Sequence, residues 1–387
     1  MIYLDYQATT PVDQRVVEKM IYYMTQRFGN ASSVDHQYGE DALEAIKISR
    51  QQIADLINAS NREIIFTSGA TESINLAIQG HIAKQKKPVE IILSPVEHKA
   101  VLDTCQALAK QGRAEINWLK VDQFAQIDLE YLEKICSQKE ALLCLMAANN
   151  EVGTIYPIDQ IGEIAQRNNI PFFCDASQAV GKIPINFRDS GITYLAFSGH
   201  KIYGPKGIGA LVIRKGATLE PLTYGGGQQR GIRPGTLDTP SIAGIGEACY
   251  LRLIEMEQDE LEIARKRDLL QQALINAIPN LRINGNNLRI NGNVESRLAG
   301  NLHCSIPGVP NDAIIARTYH QLAISTGSAC SSGAPAPSHV LLAMGLSTEL
   351  VESSLRISLG KFTTDDDIQK AVEILTAAVE QIIKLKF

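Results

Sequence analysis

Short apolar runs alternate with longer stretches of helical period through the first two-thirds of the chain. Residues 63–67, 89–93, 116–121, 141–147, 171–174, 194–197 and 208–213 are such runs, bounded by polar or glycine-containing turns, and each predicts a strand. Between them lie stretches such as 41–57, where Leu43, Ile46, Ile53 and Ile57 recur at helical spacing. Strands with no polar face, separated by helices, predict an α/β fold: a mostly parallel seven-stranded sheet covered on both sides.

The texture changes after Asp238. Residues 241–277 read as a long, charge-laced helix, and 364–385 as an amphipathic one with Ile368, Val372, Leu375, Val379 and Ile382 on one face. Thr364 and Asp367 form a capping-box pattern at its start. A boundary near residue 257 separates a large domain, 13–257, from a smaller α/β domain of 258–387, to which residues 1–12 are assigned. The heptapeptide at 280–286 recurs unchanged at 287–293. Two copies are too few for a solenoid, and the Asn-Gly pairs suggest a surface hairpin or loop without assigned function.

Composition narrows the class. Apolar residues at 45% and charged residues at 20% of 387 permit two or three ordinary globular domains. The net charge of −5, without a long basic run, argues against direct nucleic-acid binding. No apolar stretch approaches the roughly 20 residues of a membrane helix, and the first residues lack the pattern of a targeting segment. The seven cysteines are scattered without a CxxC pair, which argues against a disulfide framework or a metal site. A cytoplasmic location is expected, with no membrane partner.

Six segments carry candidate chemistry. An apolar strand ends in Ser198-Gly-His-Lys201; a lysine there, if desolvated, is a nucleophilic amine, and Ser198 and His200 beside it suit a phosphate. Taken alone, Lys201 reads as a solvated surface residue. Asp175 follows another strand, where a carboxylate suits a ring nitrogen, or equally caps the next helix. Phe66-Thr-Ser-Gly-Ala70-Thr71 runs from a strand into a helix start whose free N–H groups and Thr71 hydroxyl would hold an anion; a generic helix start fits as well. His98 follows a fourth strand and suits stacking and proton transfer, with a structural histidine as the alternative. Apart from Cys330, residues 327–338 are all Gly, Ala, Ser or Pro, so Cys330 lacks the large neighbours of a core cysteine and reads as an accessible thiol. The other six cysteines mostly sit in apolar runs. Arg356 lies in an alternating segment and suits a carboxylate, or a surface ion pair.

Together and in this order, these segments resemble the cysteine desulfurases of the class V aminotransferase group of pyridoxal-phosphate (PLP) enzymes. The resemblance runs from Tyr3-Leu-Asp-Tyr-Gln-Ala-Thr-Thr-Pro11 through Gly29-Asn-Ala-Ser-Ser33, 67–75, Glu97-His-Lys99, Asn149-Asn-Glu-Val-Gly153, 175–178, 198–201, Arg233-Pro-Gly-Thr236 and 327–330 to 355–360. Ser-Gly-His-Lys combined with Gly-Ser-Ala-Cys is specific to that family, and the serine- and alanine-rich surroundings of Cys330 resemble its long-loop, nitrogen-fixation and iron–sulfur housekeeping type, the Gly-His-His-Cys of the other main type being absent.

The resemblance implies the PLP-dependent transferase fold type I and an enzyme that removes sulfur from L-cysteine, giving L-alanine and a persulfide on Cys330. Lys201 would hold PLP, with Asp175 on the ring nitrogen, Gln178 on the ring oxygen and His98 stacked on the ring. Ala70, Thr71, Ser198 and His200 would bind the phosphate, and Thr236 would reach the phosphate of a neighbouring subunit in a homodimer. Asn150 would lie near cofactor and substrate, and Arg356 would bind the substrate carboxylate. The persulfide sulfur would pass to an acceptor for iron–sulfur cluster assembly or a thiolation pathway. Two departures stand out. Ala31 replaces the proline usual in Gly29–Ser33, which changes loop stiffness more than chemistry. The chain stops at Phe387, whereas housekeeping relatives often carry a tail that helps dock the cluster scaffold, which puts that partner in doubt. An aminotransferase using Lys201 without Cys330 is the alternative activity, and a non-enzymatic docking relative lacking a cofactor residue is a second.

Overall fold

The computed structural model describes residues 1–137, 141–284, 296–326 and 337–385. After a short N-terminal strand, β1 (Ile2–Tyr3), the chain builds β2 (Ile64–Thr67), β3 (Val89–Leu93), β4 (Ala114–Trp118), β5 (Ala141–Met146), β6 (Phe172–Asp175), β7 (Tyr194–Ser198) and β8 (Gly209–Ile213). These last seven form one sheet in the order β2-β8-β7-β6-β5-β3-β4. Only β8 runs against its neighbours, so the other six present their carboxyl ends along one edge. That is the mostly parallel, seven-stranded α/β sheet the apolar runs predict.

Both faces of the sheet are buried because alternate residues feed different cores. Along β5, Leu143 and Leu145 enter one cluster with Phe66, Phe172 and Phe197; Leu142 and Cys144 enter the other with Leu93, Phe173 and Leu211. β4 lies two residues earlier than its apolar run. In-register pairing of Val89–Leu93 with Ala114–Trp118 ends the strand where β3 ends, and Val121 makes only an isolated bridge to Ile127.

The remaining strands are β9 (Arg282–Ile283), β10 (Asn301–Ser305), β11 (Leu322–Ala323) and β12 (Ser354–Ser358). β12, β10 and β9 pair antiparallel, and β1 lies parallel to β11. The helix Thr239–Ala277 crosses residue 257 without a break. Its Ile242, Ile245 and Leu251 join the core of the central sheet, while Ile263, Leu270 and Leu274 pack with Leu302, Ile357 and Leu375 in a separate cluster. The helix Asp365–Lys384 carries the Thr364–Asp367 capping box read from the sequence. The tandem repeat lies largely outside the described residues, apart from 280–284, which include β9.

Beyond β1 the N-terminal segment runs alongside β12: Ser358 N donates to Leu4 O and Tyr6 N to Ser358 O. Gln7 N then donates to Ser358 Oγ at 2.9 Å. This strap carries Gln7 and Ala8 over the carboxyl edge of the large sheet.

Candidate active site

A cavity of about 480 Å³ opens at that edge, a volume suited to a cofactor-sized ligand. Its wall takes Ser68–Thr71 from the turn after β2, His98 from beyond β3, Met146 from the end of β5, and Asp175, Ser177 and Gln178 from the end of β6. Ser198, His200 and Lys201 follow from β7, and Gln7, Ala8, Asn150 and Arg356 close it. Parallel strands end together, so residues far apart in sequence meet.

At one end of the cavity β2 passes into the helix Ala70–Ala83 through Gly69, whose φ of 152° and ψ of −179° belong to glycine. A Cβ there would meet only Ser198 Oγ at 3.7 Å, so backbone conformation rather than crowding demands the glycine. No side chain caps this helix, which leaves its first N–H groups to a ligand. Glu72 accepts from Ser68 N and pairs with Arg233, holding the turn from outside. Ser198 Oγ makes one long bond, 3.4 Å, to Ile208 O. His200 Nδ1 lies 3.1 Å from Thr9 Oγ1. Burial first, then the charges of Lys201, Lys206 and Lys182, lower the His200 pKa to about 4, so the ring is neutral near pH 7.

Lys201 is not a surface lysine. Its Nζ donates to Gln7 O at 2.6 Å and Ala8 O at 2.7 Å. Burial, followed by the positive charges of Lys182 and Arg356, brings its pKa down to about 7, against the opposing pull of Asp5 and Asp175. The amine is therefore substantially unprotonated near neutral pH.

Asp175 is buried at the end of β6, and its Oδ1 accepts from Ser177 N at 2.9 Å and Ser177 Oγ at 2.6 Å. Those bonds tie it to the following turn and leave Oδ2 with no hydrogen bond among the described residues. Gln178 donates from Nε2 to Gln7 O at 2.9 Å and accepts at Oε1 from Lys182 Nζ at 2.7 Å. An amide nitrogen has two hydrogens, so Nε2 retains one for a further acceptor.

His98 caps the helix Lys99–Lys110, with Nδ1 accepting from Ala100 N at 3.1 Å. In the neutral ring the proton then sits on Nε2. Its pKa is lowered, by burial first, with Asp175 opposing and Lys201 adding to the fall.

Arg356 is buried, at 3% exposure, so the surface ion pair is excluded. Its Nη2 lies 2.8 Å from Asp5 Oδ1, its Nη1 donates to Asn150 O at 2.9 Å, and its Nε has no partner among the described residues. Thr236 is exposed and does not line the cavity. Cys330 lies outside the described residues. On either side of that segment, Ser325 pairs through its backbone with Arg356, and Ser338 Oγ donates to Glu151.

The sequence reading missed Gln7, Glu97 and Glu151 as individual residues, although each falls in a quoted motif. Glu97 is fully buried; its Oε1 accepts from Met146 N at 2.9 Å, bracing the segment before His98 against the end of β5, and its Oε2 has no partner among the described residues. Burial pushes this carboxyl well above its usual range, and Asp175 and Cys105 push the same way, so it is held neutral. Burial likewise raises Glu151 to about 7.

The donor set fits PLP. One cavity holds an amine with a pKa near 7, a buried carboxylate, an imidazole and a group of N–H and O–H donors at a helix start, matching the aldehyde, ring nitrogen, ring face and phosphate of that cofactor.

Comparisons with known proteins agree. The Aminotransferase class-V family model matches residues 2–371. The chain is 45% identical to proteins named cysteine desulfurase IscS from Shewanella oneidensis and Shewanella loihica, over 98% of this chain and 93% of each relative. A solved NifS-like protein superposes with a TM-score of 0.89 at 33% identity, covering 98% of this chain and 99% of that one. A structure titled SspA in complex with cysteine gives 0.81 at 36% identity, over 94% and 100%.

Proposed function

We propose, for a chain that belongs to the class V aminotransferase family and is a PLP-dependent cysteine desulfurase, that the cavity residues divide the work as follows. The observation that carries this reading is that Lys201, Asp175, His98 and the Gly69–Thr71 helix start line one cavity. Bound there, PLP supplies an electron sink that loosens bonds at the substrate's Cα and Cβ. Lys201 Nζ would hold the cofactor and, as a free amine, would move a proton at the substrate's Cα, as its pKa near 7 suits it to do. Asp175 Oδ2 pairs with the ring nitrogen, and Gln178 Nε2 donates to the ring oxygen. His98 stacks on the ring with Nε2 bearing the mobile proton. Ala70, Thr71, Ser198 and His200 hold the phosphate. Asn150 lies against cofactor and substrate through its side chain, its carbonyl steadying Arg356.

Arg356 takes the cysteine carboxylate. Asp5 and Asn150 each take one N–H of the guanidinium, and the second hydrogens of Nη1 and Nη2 are left for the ligand. Arg356→Lys keeps a charge but loses the fork. Its KM for L-cysteine should rise about 10- to 100-fold, the worth of one charged hydrogen bond, with PLP content unchanged. An unchanged KM would remove Arg356 from the substrate site.

Cys330 accepts the substrate sulfur and passes it to an acceptor protein of iron–sulfur cluster assembly or a thiolation pathway. The ties of Ser325 and Ser338 to Arg356 and Glu151 bring both flanks of its segment toward the cavity. We also propose a large domain of 13–257 and a small domain of 1–12 with 258–387. The change of core along the helix Thr239–Ala277 supports it, and proteolysis near residue 257 yielding no paired fragments would count against it.

The protein is proposed to act as a homodimer in the cytoplasm. Phe28 and Tyr38, whose ring centroids lie 5.2 Å apart, are exposed, as are Ile21, Met24 and Val34, apolar residues suited to meeting a second copy. Thr236, outside its own cavity, is then free to reach the partner's. Among the described residues no helix is long and apolar enough to cross a membrane. Sedimentation should give a species of twice the 42.3 kDa chain mass at micromolar concentration. A monomer with full activity would remove Thr236 from the phosphate site.

A further inference from the structure

Lys182 lies behind the cavity and is not part of its wall. It borders a separate space of about 20 Å³ with Glu260, Tyr203, Gln7 and Asn301. From there its Nζ donates to Gln178 Oε1 at 2.7 Å, while Gln178 Nε2 donates to Gln7 O at 2.9 Å. Gln7 O also accepts from Lys201 Nζ at 2.6 Å. A single chain of contacts thus joins the two lysines: Lys182, Gln178, Gln7 carbonyl, Lys201.

The two ends of an amide have nearly the same shape, so its orientation is decided by what it meets. An ammonium can only donate and a carbonyl can only accept. Rotating the Gln178 amide by half a turn would set its NH₂ against Lys182 and its oxygen against Gln7 O, replacing two bonds by two repulsions. Gln178 is 4% exposed, so water cannot relieve either.

Lys182 also places a positive charge near Lys201. Burial lowers the Lys182 pKa to about 8, which leaves it mostly an ammonium near pH 7; Glu260 from the helix Thr239–Ala277 opposes that fall, and Arg252 from the same helix and Arg356 from β12 add to it. Arg252 is itself bound to Asp259 and Glu260. Those acting on Lys201 are Lys182, Arg356, Asp5 and Asp175, with Lys182 the largest charge contribution after burial.

We propose that Lys182 is a positioning residue for the desulfurase cofactor: its ammonium fixes which end of Gln178 faces the ring, and it sets a positive charge near Lys201. The proposal rests on the reading that the cavity holds PLP attached to Lys201. A second cation nearby disfavours a proton on the nitrogen that Lys201 shares with the cofactor. Removing that cation makes protonation easier.

The test is a pH titration of the visible absorption band of the substrate-free holoenzyme, for wild type, Lys182→Met and Lys182→Arg. The midpoint should rise by about one pH unit in Lys182→Met, a tenfold gain in proton affinity, and stay near wild type in the charge-keeping Lys182→Arg. If Lys182→Met does not fold, Lys182→Gln carries the same test, since it keeps a donor for Oε1 without the charge. In parallel, PLP release is measured in Lys182→Met, Gln178→Ala and the double variant. Action through Gln178 requires the double variant to release PLP no faster than Gln178→Ala alone. A yellow, folded Lys182→Met with an unchanged midpoint would overturn the proposal and leave Lys182 a structural residue. A wild type that takes up no PLP would instead sink the reading of the cavity.

Discussion

Replacing Lys201 with alanine yields a folded, colourless protein that releases neither alanine nor sulfide from L-cysteine. Two losses coincide in this variant: the amine that holds PLP and the amine that moves a proton at substrate Cα. Proton transfer alone accounts for about 10²- to 10⁴-fold in rate, and losing the attachment adds to it. Folding should survive, because the Gln7 carbonyl keeps its bond from Gln178 Nε2 and one charge is removed from a largely buried place. Circular dichroism and a thermal melt check the fold, and absorbance in the visible checks the cofactor. A Lys201→Ala protein that stays yellow and turns over at the wild-type rate would rule out Lys201 as the holding residue.

Replacing Cys330 with alanine separates the two halves of the reaction. This variant keeps PLP and its colour but loses alanine and sulfide release, because the sulfur has no acceptor thiolate. No described cysteine stands ready to substitute. All six are buried, and burial raises the thiols of Cys136, Cys144, Cys174, Cys249 and Cys304, with Cys136 at about 11 and Cys304 at about 12. With a thiol pKa of 11, only about one molecule in ten thousand carries the thiolate at pH 7. The loss in Cys330→Ala should therefore be on the order of 10³-fold or more. Full activity in this variant would mean that Cys330 is not the sulfur acceptor and would point to the other carbon–sulfur chemistries open to a PLP enzyme.

How legible the site is in the sequence depends on where each residue sits. Lys201, Asp175 and His98 follow apolar strands directly, and parallel strands end along one edge, so local pattern and fold class together bring them into one place. The apolar runs locate six of the seven strands within a residue or so. The exception, β4, is an edge strand whose limits are set by its partner β3 rather than by its own apolar residues. Arg356 shows a strand-like alternation, but its burial depends on Asp5, 351 positions away, which no local period reports. Gln7 is hidden for the same reason, since its carbonyl meets Lys201 across 194 positions. Glu97 and Lys182 act from behind the cavity wall, and polar residues beside a strand end or a glycine turn carry no mark of that. Cys330 lies outside the described residues, so its reading rests on the sequence alone, on the lack of any large neighbour on which a core residue would pack.

The central claim is that PLP is held by Lys201 in this cavity, and the most direct measurement is borohydride reduction of the yellow enzyme followed by peptide mapping. Reduction makes the link between cofactor and amine permanent at whichever lysine holds it. The expected result is one modified peptide, spanning Ser198–Lys201, with the label on Lys201 Nζ. A label on Lys182, Lys206 or another lysine, or none in a protein reconstituted with PLP, would contradict the account.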